Sequence, residues 1–546
     1  MAGRTCNLSE LENRVYKIGT RGSLLAVTQC QQIKKELEEK TGLKFELELI
    51  KTQGDLDTSV PLWQMEGKDF FTKELDDALL KKKVDLVVHS YKDLGSLRPE
   101  GIYLAAITRR SFANDILLIR KDVQKQMSRN EFNQDFIVGT SSPRRIVNST
   151  QYLGRILPTE NILNITTKML RGNVNTRIEK LKNGDYHAII LAMAGLERLA
   201  QDKEAREKLS ELLNDLNFTI LPQKIFPSAA SQGALGIECR KEDKKLQSLL
   251  ALVNDSDTID EVEREREHFQ RFGGGCHLAV GINVRKFAGL YIHSLRGEVD
   301  HKEVKVLKTE GIEEKFKNAI AKQKGTLAFF GMPETSKDEA FKDFIFDKLI
   351  IKKAISGEHE LIHSQRKIFV TTSYAQQRLP QESRMFSLWA AGSMTWQKLA
   401  RKGHWFHGCS EGLGHEEIHR LSSSSEIIKL LLKINFENVS ENKYTVLTHN
   451  EANSKLGPVV YSYEREILED IDNEYKTQVE ECFAFYWTSR KQAEIFLEKF
   501  PHIKDKAHFC GLGKTYYGLK EMELNPIALS SPSEYKNLIT PYLNNL

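Results

Sequence analysis

Alternating strand–turn–helix segments predict an α/β protein of several domains, and three observations carry that expectation. The chain has 546 residues, too many for one hydrophobic core and enough for roughly three to five domains. Short apolar runs that end in Gly, Ser or Thr and lead into amphipathic helices recur along the N-terminal half. In the C-terminal half, the segments starting at Lys367 and Phe485 repeat one order: strand, Thr-Ser turn, helix, strand, Gly-containing turn.

Composition narrows the class of function. The 79 basic and 75 acidic residues leave a net charge of +4, which argues against a general nucleic-acid coat, so anion binding must come from local clusters. Seven cysteines are scattered without CxxC spacing, so neither a disulfide framework nor a zinc site is expected. The start has no apolar stretch, and no run of about 18 apolar residues occurs, so the expected setting is the cytoplasm with no membrane partner.

The elements follow in order. Val15–Ile18 reads as a strand, Gly19–Gly22 as a turn, and Ser23 as the cap of a helix to about Leu37, which puts Arg21 at a strand end beside a helix start. After a second strand over Phe45–Ile50, the segment containing Lys68 opens a helix with Leu75, Ala78 and Leu79 on its apolar face. Val84–Val88 is a buried strand, with Lys92 and Asp93 at its carboxyl end, where ligands bind in open α/β sheets. Phe136–Val138 is another strand. Ser142 and Pro143 then start a helix whose first turn holds Arg144 and Arg145, an awkward pair unless an anion lies between them. Arg171 and Arg177 flank the next helix start, and Arg198 lies in the helix after the strand Ala188–Leu191. Any one of these arginines fits a solvated surface; together they point to a cleft for a ligand with many carboxylates, which guanidinium grips bidentately. Further on, Gly273-Gly274-Gly275 precedes Cys276 and gives that thiol a pliant tether, although a plain turn beside a buried cysteine fits the same residues.

Six motifs then stand in one order: Ile18–Ser23, His89–Leu94, Gly139–Arg145, Arg171–Arg177, Gln232–Glu238 and Gly274–Cys276. In that order they resemble porphobilinogen deaminase, also called hydroxymethylbilane synthase, over residues 14 to about 320. The resemblance implies two lobes like those of periplasmic binding proteins, at 14–112 with 219–238 and at 113–218, and a small α+β third domain at 239–320. It further implies a dipyrromethane cofactor joined to Cys276 by a thioether. On it four porphobilinogen units would be added with loss of ammonia, and the linear hydroxymethylbilane would then be released. Asp93 is the implied catalytic acid. Lys92, Ser142, Arg144, Arg145 and Arg171 are the implied cofactor contacts, and Arg21, Ser23, Lys68, Arg177 and Arg198 the substrate contacts. Four positions depart from the family pattern: Gln64 for a lysine, Ser231 for a glycine, Gly273 for a glutamate and Pro143 for a leucine.

From about 325 to 546 the repeated units resemble, more distantly, the two α/β lobes of uroporphyrinogen-III synthase. Thr372, Ser373, Ser393, Thr488, Ser489 and Thr515 are the implied cleft residues. Val459–Arg465 resembles the strand returning through the hinge, with Tyr463 as the implied catalytic tyrosine and Tyr461 as the competing alignment. His404, His407, His415 and Cys409 lack regular ligand spacing, and no metal is expected. The reading is a monomeric bifunctional enzyme acting on small molecules. Its rivals are a deaminase with a non-catalytic interaction module and a hinged anion-binding protein without chemistry.

Overall fold

The computed structural model describes residues 14–52, 72–95, 97–275, 277–333, 344–357, 359–360, 362, 367–380, 386–433 and 443–543. Five sheets organise these residues. In the first, the strand order is Lys44–Ile50, Val15–Arg21, Leu86–Ser90, Leu235–Arg240, Ile102–Ile107, and Leu235–Arg240 runs antiparallel to both neighbours. The second has the order Ile165–Lys168, Phe136–Gly139, Ala188–Ala192, Asp115–Arg120, Leu216–Ile220. Leu216–Ile220 pairs with Asp115–Arg120, so the second lobe's sheet runs two residues past the expected boundary at 218 before the chain returns to the first.

The helices start where local chemistry allows. Ser23 accepts from the Ala26 amide at the head of Leu24–Thr41, and Asn173 accepts from the Thr176 amide at the head of Val174–Lys182. Ser142 stands extended before Pro143–Tyr152 but makes no side-chain cap bond. There Pro143 needs no amide partner, so the departure at this position is tolerated.

The third sheet is an antiparallel meander of Ala279–Phe287, Leu290–Val299 and Lys302–Thr309. Its turns, Ala288-Gly289 and Asp300-His301, have positive φ at both residues, as tight two-residue hairpins require. Helix Ile312–Ile320, expected to complete this domain, buries Ile312, Phe316 and Ile320 against Ala328, Phe330, Phe483 and Tyr535 instead. Its apolar face finds the larger unfilled surface, that of the sheet that follows.

That fourth sheet is wholly parallel, in the order Phe344–Asp347, Leu327–Pro333, Cys482–Trp487, Ala507–Gly511, Ile527–Leu529. The fifth has the order Ile350–Ala354, Val459–Ile467, Tyr444–His449, Lys367–Val370, Ser387–Ala390, Phe406–Cys409, with only Ile350–Ala354 antiparallel. The chain thus enters one C-terminal lobe, crosses at Asp347–Ile350, completes the other, and returns after Ile467. One expected helix is only a 3-10 segment, Ser373–Arg378, because Pro380 disfavours helical backbone at Leu379.

The N- and C-terminal halves share their cores. Leu117, Phe136 and Tyr152 belong to one buried cluster with Trp396, Trp405 and Phe406. Edge strands Leu216–Ile220 and Phe406–Cys409 meet through side chains: Thr219 Oγ1 donates to the Phe406 carbonyl at 2.7 Å, and Trp405 Nε1 to the Phe218 carbonyl at 2.9 Å. Each edge covers the other, which removes an exposed template for strand pairing. Glu197 adds a charged tie, accepting from Ser425 Oγ and from the Glu426 and Ile427 amides at a helix start.

Candidate active site between the N-terminal lobes

The carboxyl ends of the first two sheets carry most of the expected residues. Asp115, at the start of an otherwise apolar strand, is fully buried. Its carboxylate accepts from Arg145 Nε at 3.0 Å and Nη2 at 2.7 Å, and lies 2.8 Å from Arg144 Nη1. Gln232 Nε2 donates to it at 2.9 Å. The two arginines hold the Asp115 carboxyl far below the usual carboxylate range despite burial. Sequence reasoning missed this acid, although an aspartate opening the apolar run Ile116–Ile119 was a readable signal.

Asp115 pairs directly with Arg144 and Arg145 alone; Arg177 and Arg198 have no carboxylate hydrogen-bond partner among the described residues, although Glu197 acts on Arg198. Arg177 gives Nε to the Gly172 carbonyl at 2.7 Å, and burial, then Arg145 and Arg171, pull its guanidinium down to about 10. Arg198 is buried with Nη2 on the Gly233 carbonyl at 2.6 Å, and burial pulls it also to about 10. Arg144 donates to the Pro227 carbonyl at 2.8 Å and is lowered by burial, with Asp115 opposing. From the other lobe, Lys92 sits in the turn Tyr91–Asp93. Burial lowers it, Asp93 opposes, and Arg145 adds to the lowering, so charges of both lobes act on one another. Asp93 itself is exposed at this turn. Arg21 ends the first strand and Arg171 lies part-buried before its helix. Lys68, Gln64 and Cys276 lie outside the described residues.

The helix leading to Cys276 is tied to the Asp93 turn. Arg266, in helix Ser256–Arg271, lies over the Tyr91 ring at 4.9 Å and donates to the Leu94 carbonyl at 2.9 Å. The charged run to which it belongs is therefore partly internal. Glu265 is fully buried, binds Arg110 through 2.8 and 3.0 Å bonds, and accepts the Ser231 and Val284 amides at 2.6 and 2.8 Å. Gly273, Gly274 and Gly275 all have positive φ, at 87°, 61° and 98°, a backbone that side chains resist. The described cysteines, Cys30, Cys239, Cys409, Cys482 and Cys510, are buried, and burial pushes their thiols up, to about 12 for Cys30 and Cys239.

Asp76, His89 and Glu238 cluster in the first lobe, but Arg98 spans them, bonding Glu238 at 2.7 and 2.8 Å and Asp76 at 2.6 Å. This group stitches helix Lys73–Leu80 to the sheet and leaves little room for an ion.

Two of the expected C-terminal residues, Ser489 and Thr515, share a second cleft, and the others lie elsewhere. Ser489 caps helix Arg490–Lys499, and Thr515 Oγ1 donates to the Thr488 carbonyl at 3.3 Å, joining two strand-end turns of the fourth sheet. Ser489 and Thr515 line a cleft of about 580 Å³ with His449, Arg465, Lys491 and Lys514. Thr372 caps the 3-10 segment, and Tyr374 within it packs on buried Tyr463 at 5.4 Å; Tyr461 is exposed. Ser373 lies on a different cleft, with Glu160 and Lys402, and Ser393 starts helix Ser393–Ala400 outside the lining of both clefts.

Two α/β lobes thus bring Lys92 of the first close to the buried Arg144–Asp115–Arg145 group of the second. The family model described as "Porphobilinogen deaminase, dipyromethane cofactor binding domain" matches residues 16–248. The porphobilinogen deaminase of Syntrophobacter fumaroxidans is 36% identical over 296 residues, covering 54% of this chain and 88% of that protein. That of Campylobacter jejuni strain 81-176 is 38% identical over 274 residues, 49% of this chain and 79% of the relative. Among solved structures, the methionine binding protein MetQ has 13% identity and a TM-score of 0.26 over 48% of this chain and 96% of that one, too slight a likeness to carry weight. The chain belongs to the porphobilinogen deaminase family, through its N-terminal half. Dipyrromethane, the cofactor of that domain, fits the residues present: its acidic arms would supply carboxylates to Arg177 and Arg198, whose hydrogen-bond partners among the described residues are carbonyls.

Proposed function

We propose that residues 14 to about 320 join four porphobilinogen molecules into hydroxymethylbilane, and that residues 325–546 close it, inverting the last ring, to uroporphyrinogen III. The observation that carries the first activity is that the Arg177 and Arg198 guanidinium groups have carbonyl but no carboxylate hydrogen-bond partners among the described residues. Arg144 and Arg171, with Lys92 and Ser142, would hold the carboxylates of the cofactor and growing chain, and Arg21, Ser23, Lys68, Arg177 and Arg198 those of incoming substrate. Arg145 is spent largely on Asp115, so its part is to hold the helix start in place. Dipyrromethane, when carried on Cys276, supplies the pyrrole end to which each new unit is joined. Asp93, exposed on the facing turn, would accept pyrrole N–H hydrogen bonds and stabilise the positive charge left on the substrate as ammonia departs. The three left-handed glycines let the Cys276 tether shift as rings are added. The proposed lobes are 14–112 with the returning 221–238, and 113–220, followed by the third domain at 239–320.

For the C-terminal half, the support is a cleft at the strand ends of two parallel sheets, with Tyr463 buried where the chain crosses between lobes. Tyr463 would assist departure of the hydroxyl from hydroxymethylbilane. Feeding porphobilinogen to full-length protein and separating the cyclised isomers tests both halves. The type III ring is expected. Product that is only type I removes the second activity, and no ammonia release removes the first.

A further inference from the structure

The two strands that link the C-terminal lobes are paired in a register that elementary electrostatics disfavours. Ile350–Ala354 runs antiparallel to Val459–Ile467, with Lys352 directly opposite Arg465 and Lys353 opposite Glu464. On the outer face the charges complement one another, since Lys353 pairs with Glu466. On the inner face two cations stand side by side, an arrangement that destabilises a ladder.

The inner pair is also withdrawn from water. The Arg465 side chain is 8% exposed, and its nearest acidic partner is Glu451, itself 52% exposed, at 3.8 Å. Its buried Nη1 has no hydrogen-bond partner among the described residues. Lys352 is lowered by burial and by Arg465, with Asp347 opposing. That acid is committed elsewhere, accepting Gln492 Nε2 at 2.6 Å and the Leu349 and Ile350 amides at 2.9 and 3.0 Å. His449, opposite Tyr463 in the neighbouring pairing, is pulled to about 4 by burial, then by Arg465, Lys352, Lys514 and Lys491, so near neutral pH it adds no charge. The Tyr463 ring lies 5.9 Å from the Arg465 guanidinium carbon and 6.0 Å from Lys352 Nζ.

We propose that Lys352 and Arg465 form a carboxylate-binding subsite beside Tyr463, at the crossing of the two C-terminal lobes, which grips an acidic arm of the linear tetrapyrrole. Its ligand rests on the synthase reading of this half; its geometry does not. A carboxylate placed between the two cations relieves their repulsion and satisfies the unpartnered guanidinium N–H, while fixing one ring of the ligand against the tyrosine.

Full-length protein titrated with uroporphyrin I, a stable macrocycle with the same acetate and propionate arms, tests this by quenching of tryptophan fluorescence. Binding in the first cleft is common to all variants and drops out of the comparison. Arg465→Gln and Lys352→Gln should each weaken the second binding step about tenfold or more, and Arg465→Lys should retain most of it. The melting temperature of ligand-free Arg465→Gln should not fall, because a like-charge pair has been relieved. In the porphobilinogen-fed assay, Arg465→Gln should raise the type I fraction with ammonia release unchanged. Unchanged uroporphyrin binding in the Lys352→Gln/Arg465→Gln protein overturns the subsite, even if type III ring is made. Wild-type protein yielding only type I ring overturns the synthase reading alone, and a second binding step lost in Arg465→Gln would still uphold the subsite.

Discussion

Replacing Arg177 by glutamine separates the two roles of a half-buried cation. Its Nε bonds the Gly172 carbonyl, which a glutamine amide can also reach, so the substitution removes chiefly the charge. Burial, Arg145 and Arg171 pull the group from its ordinary value down to about 10, which corresponds to about 3 kcal/mol against the charged form at 1.36 kcal/mol per pH unit. The folded-state value is depressed and the group is charged at neutral pH in both states, so the charge opposes folding until an anion arrives. In a Cys276→Ser background, which removes the proposed anchor, Arg177→Gln should therefore raise stability by about 1–3 kcal/mol, read as a higher midpoint in urea. In the otherwise native chain it should lose a charge-assisted hydrogen bond of about 1.5–3 kcal/mol, and so raise KM for porphobilinogen or lower kcat/KM by about 10- to 150-fold. Lower stability in the Cys276→Ser background together with unchanged steady-state kinetics would refute the reasoning.

Other perturbations reach different parts of the account. Asp115→Asn leaves Arg144 and Arg145 buried without their carboxylate and should cost about 3–5 kcal/mol by urea unfolding; a loss under about 1 kcal/mol would contradict its place as counter-charge. Ser231 is buried at φ 63° with an unbonded Oγ, so Ser231→Gly should gain about 1–2 kcal/mol, and any loss would count against strain at that turn. Glu417 joins Arg285 and Arg420 across the two halves and is held down at about 2 against an ordinary 4.5, chiefly by Arg285 in opposition to burial. Because its folded value is depressed, its stabilisation is present above about pH 4.5 and drains away as pH falls toward 2; the stability gap between wild type and Glu417→Gln should narrow over that range, and a constant gap would rule the linkage out. Asp93→Asn should nearly abolish ammonia release while leaving circular dichroism unchanged, and substantial turnover would remove Asp93 from the chemistry.

Strand ends and helix starts were legible because turns have strict local chemistry: Ser23 and Asn173 cap, Pro143 fits a first helical turn, and Gly273–Gly275 adopt positive φ. The arginines at those turns were legible for the same reason. Their counter-charge was not, since Asp115 acts across 30 residues and its partners announce nothing locally. Glu265 and Arg266 sit in a densely charged run, yet Arg110 binds the one and the Tyr91 turn covers the other. Helix Ile312–Ile320 shows an apolar stripe without saying which sheet it covers. The junction of the halves was equally silent, because nothing local to Trp396 and Trp405 shows that they reach the Ile156 and Phe218 carbonyls. The Lys352–Arg465 pairing depends on register, which no single strand encodes.

The most direct measurement is the intact mass of catalytically active protein, followed by mapping of the peptide that carries any added mass. A gain equal to two linked pyrrole units on Cys276, absent together with activity in Cys276→Ser, is the expected result. Active protein at the unmodified mass, or an adduct on another residue, would contradict the account.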